Sequence, residues 1–259
     1  MSPPTVPALA WIDGQWGSPA NLNLPLNDRG LLLADGLFET VLVLDQQPRL
    51  LEEHLQRWRQ SAALLGMAAP PEAAWLRPLL SDAIARGTAA GLLAAGSGAL
   101  RLNWSRGCTN GRGINLCGAE PEVSSHRFWL QLDAYTPNFT PQTAIVSRHE
   151  RRNADSRLSQ CKTLAYGQAV QARREAQRAG ADEALLLNTN GDLCCGSTAN
   201  LLVHRHGQGQ DEPWLTPPLS SGCLPGVMRG RLLKLGLAQE ARLESEPQPG
   251  DQWLLINSL

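Results

Sequence analysis

Lysine is scarce in this sequence. Only Lys162 and Lys234 are lysines, against 21 arginines. Arginine serves wherever a positive charge is all that is needed, but its guanidinium stays protonated and cannot attack a carbonyl. A lysine amine can lose its proton and add to an aldehyde. The two lysines are therefore enriched for chemistry, against the plain alternative that codon bias left two surface charges. Lys162 lies in "LSQCKTLAYGQAVQARREAQRAG", at the start of a helix that the spacing predicts to stop at Gly180. A cation at a helix start opposes the helix dipole, so a surface role is not favoured there.

A second signal is "LPGVMRGRLL". Pro225 and Gly226 turn the chain tightly into a helix, leaving the N–H groups of Val227 and Met228 in its first turn without intrahelical acceptors. Such a terminus suits a phosphate, although many helices begin this way without binding anything. An aldehyde-reactive lysine together with a phosphate cradle suggests a phosphorylated aldehyde cofactor. Ser197, Thr198 and Ser258 lie at strand or loop ends and offer hydroxyls, which are equally at home in turns. The glycine-rich loop "SRGCTNGRGINL" carries Arg106 and Arg112, whose forks suit carboxylates. His204 and His206 share one side of a strand, but with no third ligand in sight no metal site is expected.

These residues need a scaffold. "LAWIDGQW" predicts two strands about Asp13-Gly14, and Leu37–Leu44 a strand followed by a hairpin turn at Asp45. Leu51, Leu55, Trp58, Ala62 and Leu65 form a helical stripe ending near Gly66. The next helix, "PEAAWLRPLLSDAIARGTAAG", is expected to be interrupted or kinked at Pro78. "DEALLLNTNGDLCCGSTANLLVHR" reads as two strands about Asn190-Gly191. Mixed strands and helices with hairpins indicate an α+β fold of two α/β lobes, residues 1–133 and 142–259, joined by a polar linker at 134–141. The composition is 42% hydrophobic with a net charge of -1, enough to bury a core and without the basic excess of a nucleic-acid binder. No secretory signal and no membrane-length apolar run is visible. The cysteine spacing suits neither zinc nor a disulfide framework, which points to reduced thiols in a cytoplasmic protein.

Taken together, the segments resemble the fold type IV pyridoxal-phosphate enzymes, the branched-chain-aminotransferase-like family. "NDRGLLLADGLFET", "LEEHLQRW", "KTLAYGQAVQARREAQRAGADEALLLNTNGDL", "GSTANLL" and "LPGVMRG" follow that family's motifs in order and cover nearly the whole chain. The resemblance implies pyridoxal 5'-phosphate in a cleft between the lobes, a Schiff base at Lys162, and phosphate contacts from Arg57 and the Val227 and Met228 N–H groups. It places Leu224 on one face of the cofactor ring, Tyr166 near the phenolic oxygen and Ser258 among the cofactor contacts. It further implies a homodimer.

Within the family, the double Arg-Gly loop is similar to that of 4-amino-4-deoxychorismate lyases, which release 4-aminobenzoate and pyruvate in folate synthesis. That likeness makes Arg106 and Arg112 candidates for substrate carboxylates and Thr40 for a hydroxyl near Lys162. An amino-acid aminotransferase of branched-chain or D-amino-acid type is the alternative. A catalytically weakened, cofactor-binding relative is another, because Cys195 stands where the family has the glutamate that pairs with the pyridine nitrogen. If the register is shifted, Glu183 is the nearby acid. The sequence also stops at "INSL", where relatives usually run on.

Overall fold

A computed structural model describes residues 8–108, 113–116, 123–209, 211–243 and 248–259. The chain divides into two compact units. The first comprises Met1–Asn138 with Lys162–Leu164 and Leu259, and the second Phe139–Cys161 with Ala165–Ser258.

The first unit opens with a hairpin of β1 (Ala8–Ile12) and β2 (Gln15–Gly17). Its turn residues Asp13 and Gly14 have φ of 50° and 82°, the left-handed geometry a two-residue hairpin needs. A short α1 (Arg29–Leu33) is capped by Asp28, whose carboxylate accepts from the Gly30 N–H. Then come β3 (Gly36–Leu44), β4 (Gln47–Pro48), α2 (Leu51–Leu64), α3 (Ala73–Ala89), β5 (Ser97–Ser105) and β6 (Arg127–Ala134). The six strands form one antiparallel sheet in the order β2-β1-β6-β5-β3-β4.

Alternation along the strands gives this sheet two unlike faces. Leu37, Val41, Leu100, Leu102, Leu130 and Leu132 are buried on the face that α2 and α3 cover. From α2 the stripe Leu51, Leu55, Trp58 and Ala62 is buried as its spacing predicts, while Leu65 only caps the helix. Each such leucine contributes about 1.5–3 kcal/mol by leaving water. Pro78 does not interrupt α3, which runs through it from Ala73 to Ala89. Its side chain is exposed, so the ring costs one backbone bond on the solvent side without disturbing the packed face.

The second unit contains β7 (Ala144–Arg152), α4 (Gly167–Arg178), β8 (Glu183–Asn188), β9 (Leu193–Gly196), β10 (Asn200–His204), β11 (Trp214–Thr216), α5 (Val227–Lys234), β12 (Ala238–Glu240) and β13 (Gln252–Ile256). Strand order is β12-β11-β10-β9-β8-β7, with β13 also paired to β10. β7 and β8 are parallel, joined by a crossover through α4. Ala172 and Ala176 of α4 pack with Ala184, Leu186, Cys194, Cys195 and Cys223, and a leucine-rich cluster holds Leu185, Leu187, Leu193 and Leu201. The region expected to hold two strands holds three. A second tight turn at Ser197–Ala199 lets β10 return against β9. No helix among the described residues is long and apolar enough to cross a membrane.

Candidate active site

Lys162 is not at a helix start. α4 begins only at Gly167, with Tyr166 as its N-cap, and Lys162–Leu164 instead runs extended against β3 of the first unit. The Phe38 N–H donates to the Lys162 carbonyl (2.9 Å), and the Leu164 N–H donates to the Gly36 carbonyl (3.0 Å). Gly36 makes this approach possible, since a Cβ there would lie 2.7 Å from Leu164 Cδ1 and 2.9 Å from the Trp104 oxygen.

The Lys162 amine lies 4.4 Å from the centre of the Phe38 ring, and the Arg101 guanidinium carbon 3.6 Å from the same centre. Phe38 and Thr40 alternate with the helix-facing Leu37, Glu39 and Val41, so both belong to the opposite, polar face of the sheet. Cross-strand register adds Arg101 opposite Thr40, Asn103 opposite Phe38, and Gln131 opposite Arg101. Arg101 Nε donates to Asn103 Oδ1 at 2.8 Å. An amine, a guanidinium and a hydroxyl thus share one face around an aromatic ring. Arg101 was missed by the sequence reading. Its signal was an arginine in the middle of the apolar run "GALRLNW".

The helix-facing side of β3 carries a buried charged cluster. Arg57 Nε donates to Glu39 Oε1 at 2.8 Å, its Nη2 donates to Glu39 Oε2, and His54 Nδ1 lies 2.7 Å from that same Oε2. Burial alone would raise the Glu39 pKa, but Arg57 and His54 override it and hold the carboxyl below the usual range.

Arg106 is tied to its own unit by three groups. Its Nε donates to Asp35 (3.0 and 3.1 Å), and its Nη1 and Nη2 donate to the carbonyls of Gly66 (2.7 Å) and Leu65 (3.0 Å) at the end of α2. Those bonds cap a helix C-terminus with a cation, a structural task. Arg112 lies outside the described residues.

In the second unit, Gly226 is the N-cap of α5. The first intrahelical bond runs from the Gly230 N–H to the Gly226 carbonyl (2.8 Å), so the N–H groups of Val227, Met228 and Arg229 precede the ladder. Asn200 Nδ2 donates to the Leu224 carbonyl at 2.9 Å, and a Cβ on Gly226 would fall 1.9 Å from Asn200 Oδ1. With Asn200 in that place, only glycine fits the turn. Leu224, Met228, Tyr166 and Ser258 are half-buried.

Cys195 is buried beside Cys194 and Cys223. A hydrogen bond between the two neighbouring thiols pushes Cys194 well up and, against burial, pulls Cys195 down, with Arg152 helping to lower it. Glu183 is engaged elsewhere. It pairs with Arg173 and accepts from the N–H groups of Ala184 (2.8 Å) and Ser197 (3.3 Å). Arg173 also donates to Ser197 Oγ at 3.0 Å, which gives that hydroxyl a structural partner.

The family model of amino-transferase class IV matches residues 36–258. The chain belongs to this family, the fold type IV pyridoxal-phosphate enzymes that its motifs resemble. Among its relatives, a bifunctional aminodeoxychorismate lyase / D-amino acid transaminase of Mycobacterium tuberculosis is 28% identical over 88% of this chain and 78% of that protein. A hypothetical aminotransferase of the same organism, in a PLP-bound form, superposes with a TM-score of 0.79 at 25% identity, covering 96% of this chain and 87% of the other. A provisionally assigned 4-amino-4-deoxychorismate lyase of Legionella pneumophila gives 0.76 at 26% identity over 93% and 85%.

Proposed function

We propose that this chain is a pyridoxal-phosphate-dependent 4-amino-4-deoxychorismate lyase, forming 4-aminobenzoate and pyruvate. The observation that carries the reading is the Phe38 ring. The Lys162 amine and the Arg101 guanidinium both lie over it, and Thr40 shares its face of the sheet. That set suits a substrate that carries a carboxylate as well as an amine. The names of the Mycobacterium and Legionella proteins support the lyase assignment.

The donor set fits the cofactor. Lys162 supplies the amine that holds an aldehyde. Arg57 and the N–H groups of Val227 and Met228 are the phosphate donors in this reading. Leu224 would cover a ring face, with Tyr166 and Ser258 as polar contacts, and Cys195 would face the pyridine nitrogen. The cofactor, when bound, draws off the electrons left when a carbon loses its proton. Lys162 takes that proton as the general base, Arg101 orients a substrate carboxylate, and Thr40 offers a hydroxyl near the amine. Arg112 remains the loop candidate for a further carboxylate.

A homodimer belongs to this reading. Leu31 (53% exposed) and Leu32 (56%) stand free on α1, and Arg29 ties α1 to the Ile114 and Asn115 carbonyls at 3.2 Å, beside the 78% exposed Ile114. Such a patch marks an association surface, and sedimentation should give twice the monomer mass. The five described cysteines are free thiols, in keeping with a cytoplasmic setting.

The test is turnover of aminodeoxychorismate by the loaded enzyme. Pyruvate and 4-aminobenzoate should appear together without any 2-oxo acid. A requirement for a 2-oxo acid acceptor would establish the second reading, a D-amino acid transaminase, which the bifunctional relative's name favours. Borohydride reduction should fix the cofactor on the peptide holding Lys162, and label on Lys234 would overturn that assignment.

A further inference from the structure

We infer that Glu39 and His54 are positioning residues that aim the Arg57 guanidinium at a phosphate group. The inference rests on reading Arg57 as a phosphate ligand.

The cluster sits where stability alone does not call for charge. Glu39 and His54 are each 1% exposed and Arg57 is 7% exposed. Their buried neighbours on α2 are the apolar Leu51, Leu55, Trp58 and Ala62 and the hydroxyl-bearing Ser61. Apolar side chains of similar volume in place of a buried ion pair are often neutral or stabilising. The geometry gives the charges a different use. Residues 54 and 57 are three apart on α2, so they share the face turned to β3. Glu39 meets the arginine fork along its Nε–Nη2 edge, through both carboxylate oxygens. That docking fixes the plane of the guanidinium and therefore the direction of its Nη1 corner. His54 holds Oε2, the oxygen that also receives Nη2, and so stops the carboxylate from rotating away. A long side chain with many rotamers is thereby left with one direction.

Charge and aim make opposite forecasts. Glu39 cancels the charge of Arg57, so removing its negative charge would tighten phosphate binding if net charge governed. If aim governs, the same change weakens it.

The experiment measures dissociation constants for pyridoxal 5'-phosphate and for pyridoxal, which lacks the phosphate, on the full chain. Arg57→Ala and Glu39→Gln should each weaken the phosphorylated form by about tenfold or more and pyridoxal by less than about twofold. His54→Gln should show a smaller loss of the same selective kind. Unchanged or tighter binding of the phosphorylated form by a folded Glu39→Gln protein overturns the inference, and so does an equal loss for both forms. If Glu39→Gln does not fold, Glu39→Asp is read by the same criteria, because it keeps the charge but withdraws the carboxylate from the fork. Should Arg57→Ala leave the preference for the phosphorylated form intact, the phosphate reading of Arg57 itself fails. Should Arg57→Ala lose that preference while the Glu39 variants keep it, only the positioning role fails.

Discussion

Arg57 in the first unit and the start of α5 in the second are both suited to an anion, but by opposite means. The first is a side-chain cation, braced by a buried carboxylate and an imidazole. The second is a row of backbone N–H groups, presented by a turn that one asparagine ties down. A cation on a long arm needs partners that hold its direction, and a carboxylate such as Glu39 titrates. Backbone donors are fixed by the helix itself and need only a turn that fits. The charged region should therefore be sensitive to partner chemistry and to pH. The backbone region should be sensitive to single methyl groups.

The largest expected effect is steric. Gly226→Ala would place a Cβ 1.9 Å from Asn200 Oδ1 and 3.1 Å from its Cγ, so the turn or the Asn200 side chain that ties it has to shift. The cost expected from such overpacking is about 1–3 kcal/mol, read by denaturant unfolding, together with loss of cofactor retention. Adding Asn200→Ala should restore part of both by removing the clash, although alone it forfeits the bond to the Leu224 carbonyl, about 1 kcal/mol. A double-mutant cycle with no coupling between the two positions would show that Asn200 does not set the turn.

Next comes Arg57→Lys. It keeps the charge and discards the fork, so it should weaken cofactor binding by about tenfold. Affinity equal to the parent protein would mean that charge alone suffices and that the two regions differ less than their geometry implies.

The pH response separates the regions more gently. The Glu39 pKa is depressed below its usual value of 4.5 in the folded chain. Its contribution is therefore fully present above that value and lost as pH falls through the lower folded value. The stability difference between the parent chain and Glu39→Gln should shrink as pH drops below about 4.5. Denaturant midpoints measured across that range check it. A constant difference would place the cluster's stabilisation in packing and leave the carboxylate charge out of it.

The same contrast explains what the sequence disclosed. Lys162 stood out by residue type, because arginine fills the ordinary cationic positions. The LPG turn stood out because Pro225-Gly226 before a helix is a local pattern. Hairpins at Asp13-Gly14 and Asn190-Gly191 were legible for the same local reason. What remained hidden depends on cross-strand register, which no local window contains. Arg101 reaches the Phe38 ring that Lys162 also approaches only because β3 and β5 pair Thr40 with Arg101 and Phe38 with Asn103. Arg106 reads as a substrate residue in the sequence, and only the fold shows that its Nε, Nη1 and Nη2 each donate to Asp35 or to the end of α2. Lys162 was expected at a helix start, yet the chain pairs with β3 there because Gly36 leaves room for it.

The smallest expected effect concerns a third way of managing charge, and it tests the second unit from another side. β9 carries an irregularity in which Leu186 pairs with Cys195 and Leu187 with Leu193, leaving Cys194 as the extra residue. That bulge brings two successive side chains into the same cluster, with Cys223 beside them. The Cys194 thiol lies 3.2 Å from the Ser221 carbonyl and also shares a hydrogen bond with Cys195. Cys195 is lowered first by this thiol and then by Arg152, against the opposing pull of burial. Cys194→Ala removes the donor and leaves the cation in place. The Cys195 midpoint should then rise, and cysteine labelled with carbon-13 at Cβ would report each thiol separately across a pH series. Removing one neutral hydrogen bond should cost only about 1 kcal/mol of stability. If the Cys195 midpoint stays where it was, Arg152 governs the thiol and Arg152→Gln should raise it instead. That outcome would make the second unit depend on a side-chain cation after all, and the division between charged and backbone regions would no longer follow the two units.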